Sequence, residues 1–422
     1  MNWRLIHRWL GLVAGSVALL VALTGTVLAL DPVLSAWQAR PAADGLPVST
    51  LVERVSRSVA GAEEIRRLPS GDIVVYGFDA GQPRAVQVDP ADGRVLGDYQ
   101  PSASMRWFKN LHRSFLLGDA GRIAAAVVAL SLLLLCVSGL WLLQRRQGGW
   151  RRVFSRARGT LLQRLHVVAG QLALPLLCIS AATALYMSAA TFGLVSVDAG
   201  AEPELASTAT AAPPLPGAAL PLLKQLQVQD LRKLNFPAAA DPADVWSVVT
   251  DQGQGWVDRY SGRTLLWRDA GVAQQALDWA LVLHTGAGAW AWALLLGLGA
   301  LSIPLFWATG LLLWWQARQL RPRIDDNSAP AQAEMLIFVA SEGGTTWGFA
   351  QALHAALVAA GHKVHTAGLE QFGVGAAARQ VFVLAATYGD GEAPAHAAHA
   401  LERIADQPVT AASICVLGFG DR

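Results

Sequence analysis

The chain has 422 residues, of which 53% are hydrophobic and only 15% are charged. This composition is too apolar for a soluble protein of this length and indicates a membrane protein. The formal net charge at pH 7 is only +2 and is uninformative by itself; no nucleic-acid partner is expected. The positions of the charges along the chain carry more information than their sum.

Four apolar runs are long enough to cross a hydrocarbon core, which needs about 20 helical residues. The first is expected to be retained, because its apolar stretch is too long for the core of a signal peptide. The four runs are Gly11–Leu30, Ile123–Leu143, Val167–Met187 and Ala289–Trp315.

The predicted domains are 1–30 (N-terminus and first span), 31–110 (first external domain), 111–143 (second span), 144–160 (basic loop), 161–189 (third span), 190–282 (second external domain), 283–317 (fourth span), 318–333 (linker) and 334–422 (C-terminal domain).

Arginine residues are concentrated in three short segments beside the spans. Short basic segments stay on the cytoplasmic side of a membrane. We therefore predict a multi-pass protein of the inner (plasma) membrane, with its N-terminus and C-terminal domain in the cytoplasm. Regions 31–110 and 190–282 are then periplasmic or otherwise external. The arginines are Arg4 and Arg8, then Arg145, Arg146, Arg151, Arg152, Arg156, Arg158 and Arg164, and finally Arg318, Arg321 and Arg323.

The two halves of the membrane region match each other. His7 is followed by Gly11 and Thr24, and His166 is followed at the same distances by Gly170 and Thr183. The second and fourth spans end in similar Ser-Gly-Leu and Thr-Gly-Leu sequences. In the connections, Val88–Leu96 aligns without gaps to Val257–Leu265, and each reads as a strand, a turn and a strand. The pattern predicts a duplicated unit of helix, small α+β external domain and helix.

The membrane half contains four histidines, each just before or at the start of a span: His7, His112, His166 and His284. Neutral imidazole is a common axial ligand of haem iron, and helix bundles often hold such groups. Given the predicted orientation, His7 and His166 lie at the cytoplasmic face and the other two at the external face. We therefore predict two b-type haems, one near each membrane surface. The alternatives are that the histidines are only interfacial residues, or that Met105 or Met187 replaces one of them as a ligand.

A soluble α/β pattern follows the linker. Strands are predicted at Met335–Ala340, Lys363–Thr366, Gln380–Ala386 and Ser413–Leu417, with a helix from Trp347 to Ala360. The Ser/Thr/Gly loop after the first strand is suited to hold a phosphate at the helix N-terminus. The loop after the third predicted strand adds Tyr388, whose ring can stack on another ring. Both loops follow strand C-termini, where open α/β sheets bind ligands.

Residues 334–422 resemble the FMN domain of the flavodoxin and diflavin-reductase families, although Gly343 stands where the family often has threonine. The chain stops at Arg422, before the fifth strand and last helix of that fold. The full gene product is therefore expected to continue, into FAD and NADPH domains. The resemblance implies FMN contacts from three loops: Ser341, Glu342, Gly343, Gly344, Thr345 and Thr346; Thr387, Tyr388, Gly389, Asp390 and Gly391; and Leu417, Gly418, Phe419, Gly420 and Asp421.

Residues 1–320 resemble the PepSY-associated transmembrane family, which includes membrane-bound ferric-siderophore reductases. The resemblance rests on the sequences His7–Gly11 and Leu111–Arg113, on the Gly-Leu-Trp ending of the second span, and on the external Asp-Gly-Arg hairpin. It implies that the four helix-end histidines are haem ligands.

The expected fold is an α-helical membrane protein with four transmembrane helices, two PepSY-like external domains and an incomplete flavodoxin-like α/β domain. The expected function is transfer of electrons from NADPH through flavin to an inner haem on His7 and His166, then to an outer haem on His112 and His284. The acceptor would be a ferric siderophore or other ferric complex. In one alternative, the membrane half only anchors an FMN module that serves a soluble partner such as a sulfite-reductase haemoprotein. In another, the protein is a non-enzymatic PepSY binding or inhibitory protein.

Overall fold

The structure is a computed structural model. It describes residues 3–38, 45–197, 203–208, 213–319, 323–341, 344–372, 378–386, 397, 400 and 413–419. The chain divides into two compact units, one of residues 1–16, 134–174 and 304–422 and the other of residues 17–133 and 175–303.

The described residues form helices and strands in the following order. The helices are α1 (Trp3–Leu28), α2 (Leu30–Gln38), α3 (Val48–Ser58), α4 (Ala103–Ser114), α5 (Gly118–Gln147), α6 (Leu161–Thr191), α7 (Pro221–Gln225), α8 (Val272–Thr285), α9 (Trp290–Gln319) and α10 (Thr345–Ala359). The strands are β1 (Ala62–Arg67), β2 (Ile73–Asp79), β3 (Gln82–Val88), β4 (Val95–Asp98), β5 (Leu231–Asn235), β6 (Trp246–Thr250), β7 (Gly253–Val257), β8 (Thr264–Asp269), β9 (Met335–Ala340), β10 (Val364–Gly368), β11 (Gln380–Ala386) and β12 (Ser413–Phe419).

Four helical segments are long and apolar enough to cross a membrane: Trp3–Gln38, Gly118–Gln147, Leu161–Thr191 and Trp290–Gln316. The prediction of four spans is confirmed. The first three segments extend beyond the apolar runs that predicted them, because the flanking turns are also helical, whereas the fourth differs from its run by one residue at each end. His7 and His166 therefore lie in the second turns of α1 and α6.

Helices α4 and α8 lie directly before α5 and α9 and carry His112 and His284 near their C-terminal ends. The turn after α4 contains Phe115 and Leu116, both in the left-handed conformation with φ of 48° and 61°. Gly286, with φ of 70°, ends α8 in the same conformation. A left-handed residue stops a helix and redirects the chain. The two histidines are thus on short helices of their own, separate from the spans that follow them.

The segments between the spans form one eight-stranded antiparallel sheet with the strand order β4-β3-β2-β1-β5-β6-β7-β8. Each segment contributes four consecutive strands, and the halves join where Ile65 of β1 pairs with Leu234 of β5. The two predicted hairpins are present as β3–β4 and β7–β8. The sequence predicted two small domains, but the two halves share this sheet and one hydrophobic core that includes Ile65, Leu234 and Leu51 of α3.

The C-terminal region forms a parallel sheet with the strand order β10-β9-β11-β12 among the described strands, and α10 follows β9. Strands β9 and β11 have the predicted bounds.

The linker lies along the edge strand β10. The Asn327 side chain donates to the Thr366 carbonyl at 3.0 Å and accepts from the Thr366 N–H at 2.7 Å. The Ser328 N–H adds a bond to the Val364 carbonyl at 2.9 Å. This edge is therefore already paired.

Candidate functional site

The four predicted histidines form two pairs. In the first pair, the ring centroids of His7 and His166 are 6.4 Å apart, with 83° between the ring planes. In the second pair, the centroids of His112 and His284 are 6.2 Å apart, with 55° between the planes. The structure thus brings together the partners that the predicted orientation grouped by membrane face.

The first pair is held by hydroxyl groups on neighbouring spans. His7 Nδ1 lies 2.8 Å from Ser138 Oγ of α5, and His166 Nδ1 lies 2.8 Å from Thr309 Oγ1 of α9. Each hydroxyl donates its own proton to a carbonyl of its helix, at 3.1 Å for Ser138 and 2.7 Å for Thr309. With that proton engaged, each hydroxyl can accept a hydrogen bond from the histidine, an arrangement in which Nδ1 carries the ring proton.

The second pair is held chiefly by backbone carbonyls. His112 Nδ1 is 2.9 Å from the Val21 carbonyl, and His284 Nδ1 is 3.0 Å from the Ser180 carbonyl. The hydroxyls of Thr24 and Thr183 approach the same ring nitrogens at 3.1 and 3.3 Å. A carbonyl can only accept a hydrogen bond, so Nδ1 carries the proton in this pair as well.

The opposite ring nitrogen is available in all four histidines. With the proton on Nδ1, Nε2 presents a lone pair, which is the form of imidazole that binds a metal. Within the described part of the chain, no hydrogen-bond partner contacts these Nε2 atoms. The same residues include no group of three or more His, Cys, Asp or Glu side chains suited to a bare metal ion. Any metal at these pairs would need most of its ligands from another source.

His112 and His284 lie outside the four candidate spans, and both are held neutral. The pKa of His112 is lowered to about 4, first by burial and then by the charge of the neighbouring His284. Burial also lowers the pKa of His284. At neutral pH both rings are therefore unprotonated at Nε2, as a metal ligand must be.

Sequence reasoning did not identify the hydroxyl residues as histidine partners. The signal was present, because Thr24 and Thr183 occupy equivalent positions in the repeat, as do Ser138 and Thr309. What was missing was the packing that brings each hydroxyl to a histidine on a different helix.

A glycine follows three of the four hydroxyl residues, and at two of these glycines an added Cβ would crowd the ring. A Cβ at Gly139 would lie 3.2 Å from His7 Cε1, and a Cβ at Gly25 would lie 3.0 Å from His112 Cε1. At Gly310 the corresponding distance to His166 Cε1 is 4.0 Å. Gly11 and Gly170, which the sequence singled out, do not crowd a histidine: the nearest atoms to their added Cβ belong to Leu135 at 3.7 Å and Phe306 at 4.0 Å.

The first predicted FMN loop begins at Ser341, directly after β9. The Ser341 side chain is buried, and its Oγ has no hydrogen-bond partner among the described residues. Gly344 lies in the left-handed conformation at the start of α10, and the Thr346 side chain is buried in the first turn of that helix. An unpaired buried hydroxyl beside a helix N-terminus is suited to a phosphate oxygen.

The other predicted FMN residues are described only in part. Leu417 and Phe419 lie on β12, with the Phe419 ring centroid 5.0 Å from that of Phe349 on α10, and Gly418 lies between them. Nine predicted residues lie outside the described residues and stay predictions: Glu342, Gly343, Thr387, Tyr388, Gly389, Asp390, Gly391, Gly420 and Asp421.

Replacing Ser341 with alanine is expected to weaken FMN binding about 10- to 100-fold, because a hydrogen bond to a charged group contributes about 1.5–3 kcal/mol. Quenching of FMN fluorescence on titration with the protein measures this. Ser328→Ala is the matched control, since Ser328 contacts β10 through its backbone N–H. Equal FMN affinity in the two variants would exclude Ser341 from the phosphate site.

Most of the membrane half matches a known protein family. Residues 4–317 match the family described as the PepSY-associated TM region. The chain belongs to this family. Residues 337–422 match flavodoxin, and no curated protein matches the chain.

Joining a PepSY-associated membrane region to a flavodoxin domain indicates a multi-pass membrane protein linked to flavin electron transfer. The flavodoxin match also supports FMN as the cofactor of the C-terminal domain. Both resemblances predicted from sequence are confirmed.

Proposed function

We propose that the chain is a membrane flavo-haem reductase. Electrons from NADPH and flavin in the cytoplasm would be passed through two b-type haems, one at each histidine pair, to an external ferric siderophore or other ferric complex. NADPH and FAD would be supplied by a separate reductase domain or subunit. When bound, haem supplies a one-electron carrier that a histidine pair can hold in an apolar bundle.

The spacing of the paired rings carries this proposal. A metal–nitrogen bond is about 2 Å long, and each nitrogen is about 1 Å from its ring centre. Two imidazoles bound to opposite sides of one iron would therefore have centroids about 6 Å apart. The observed separations are 6.4 and 6.2 Å.

The residues of the chain have two tasks in this proposal. Hydrogen bonds at Nδ1 fix the tautomer and the ring orientation, and they leave Nε2 free to bind a metal. The glycines at positions 139 and 25 leave space for the His7 and His112 rings. Two protein ligands per iron are enough, because the macrocycle itself supplies the other four. The absence of larger ligand clusters among the described side chains is compatible with this.

The charge distribution supports the direction of electron transfer. His7 and His166 lie next to arginine-rich segments, and short arginine-rich segments face the cytoplasm. The first pair would therefore be the inner site, on the side of the flavodoxin domain. His112 and His284 lie on the short helices between the sheet strands and the next spans, so the second pair would be the outer site.

A ferric acceptor suits the outer site for a chemical reason. One electron converts Fe(III) to Fe(II), which binds hard oxygen ligands less tightly and is more easily released from a chelator. The two segments of the shared sheet, 31–110 and 190–282, would be PepSY-like halves produced by duplication. The gapless match of the hairpins and the four strands that each half contributes support this origin.

The experiment that tests the proposal uses the whole chain in sealed vesicles. Purified protein is expected to contain two haems and to give a b-type spectrum after reduction with dithionite. The vesicles contain a reductant, and a ferric chelate is added outside. Protein molecules whose first histidine pair faces the vesicle interior should then produce Fe(II) outside. Protein-free vesicles are the control. Colourless protein after expression with ample haem would refute the proposal and favour a membrane anchor for the flavin module.

A further inference from the structure

The hydrogen bonds that hold the four histidines are not equivalent. Thr309 Oγ1, at 2.8 Å, is the sole hydrogen-bond partner of the His166 ring in the described part of the chain. The outer histidines differ, because a backbone carbonyl is the shorter contact in each case. His7 resembles His166 in this respect, because its Nδ1 contacts the Ser138 hydroxyl at 2.8 Å.

The second repeat provides the clearest contrast. His166 and Thr309 are joined through the hydroxyl alone, whereas His284 has both the Thr183 hydroxyl at 3.3 Å and the Ser180 carbonyl at 3.0 Å. Removing the Thr183 hydroxyl leaves His284 with a good acceptor. Removing the Thr309 hydroxyl leaves the His166 N–H without a hydrogen-bond acceptor among the described residues.

Thr309 is also well fixed. Its side chain is buried, and it donates to the Leu305 carbonyl at 2.7 Å and approaches the Phe306 carbonyl at 3.2 Å. With its proton engaged, the oxygen has only lone pairs to offer His166. The Phe306 ring also packs against this imidazole, with its centroid 5.3 Å from that of His166. The hydroxyl therefore sets both the tautomer and the orientation of this imidazole.

We infer that Thr309 is a positioning residue that sets the electron-donor strength of His166, so that the reduction potential of the group bound at the first pair depends on one hydroxyl. The inference rests on the proposed function. An acceptor at Nδ1–H makes the imidazole more basic at Nε2. A more basic axial ligand stabilises the ferric state, so loss of the acceptor should make the potential more positive.

The test compares threonine-to-valine changes, which keep the shape of the side chain and remove the hydroxyl. In the full haem-loaded chain, Thr309→Val is expected to shift the midpoint potential of one haem to a more positive value in a spectroscopic redox titration. Thr183→Val should shift the other haem much less, because the Ser180 carbonyl remains. Thr309→Ser, which keeps the hydroxyl, should restore the original potential. Thr26→Val is the control, since among the described residues the Thr26 hydroxyl contacts only the Ala22 carbonyl of its own helix.

Three results would overturn the inference: unchanged midpoints in Thr309→Val, an equal shift in Thr183→Val, or a midpoint in Thr309→Ser that differs from the wild-type value. The last result can be obtained even if Thr309→Val does not fold. A wild-type chain that binds no haem would instead refute the proposed function itself, so the two failures are distinguishable.

Discussion

Replacing His166 with alanine is expected to reduce the haem content from two per chain to one, and to reduce external iron reduction to the background rate. The reason is that the other ring of the pair, His7, would have no partner to complete the iron coordination. His112→Ala should remove the other haem and leave the first in place. Pyridine haemochrome quantification of purified protein measures both effects.

The matched control is His362→Ala, which removes a histidine from the flavodoxin domain. His362 is partly exposed, and its Nδ1 lies 3.6 Å from a Glu334 carboxylate oxygen, so its loss should leave the haem content at two. If alanine at all four positions of the two pairs left both haems bound, the assignment of ligands would be wrong.

Replacing Gly286 with alanine is expected to lower the free energy of unfolding by about 2–5 kcal/mol, the sum of left-handed strain and overpacking. Gly286 has φ of 70°, and an added Cβ would lie 2.5–2.8 Å from three atoms of Ala293. Because this turn directly follows His284, the second haem should be lost before the first on heating. Denaturant unfolding in micelles, followed by haem absorbance, measures the change.

A Gly81→Ala variant separates the effect of left-handed strain from the effect of overpacking. Gly81 has φ of 79°, but a Cβ added there would meet no atom within 4 Å, so only the strain of about 1–2 kcal/mol remains. Equal losses in the two variants would mean that the contact with Ala293 has no part in fixing the turn after His284.

Much of the chain could be predicted from local patterns. The spans followed from long apolar runs, and the strands Met335–Ala340 and Gln380–Ala386 followed from short apolar runs with flanking turn residues. The histidines could be selected because they are scarce in the membrane half and repeat in register. Each of these signals lies within a few consecutive residues or in an internal comparison of the chain.

Other features depend on contacts between distant segments, and no local sequence pattern predicts them. The union of two four-stranded halves depends on the pairing of β1 with β5, for which neither strand carries a distinctive pattern. The contact of His166 with Thr309 depends on how α6 and α9 pack. The predicted ring-stacking role of Tyr388 lies outside the described residues and stays a prediction.

The shared sheet also constrains the order in which the protein can assemble. Ile65 and Leu234 are partners across its centre, yet α5 and α6 lie between them in the chain. During synthesis, β1 must wait with one side unpaired until two membrane helices have been inserted and β5 has emerged. Such long-range pairing is slow and leaves a strand edge exposed to other chains. A chaperone that covers the exposed strand edge, or rapid insertion of the second helical hairpin, would therefore govern the yield of correctly folded protein.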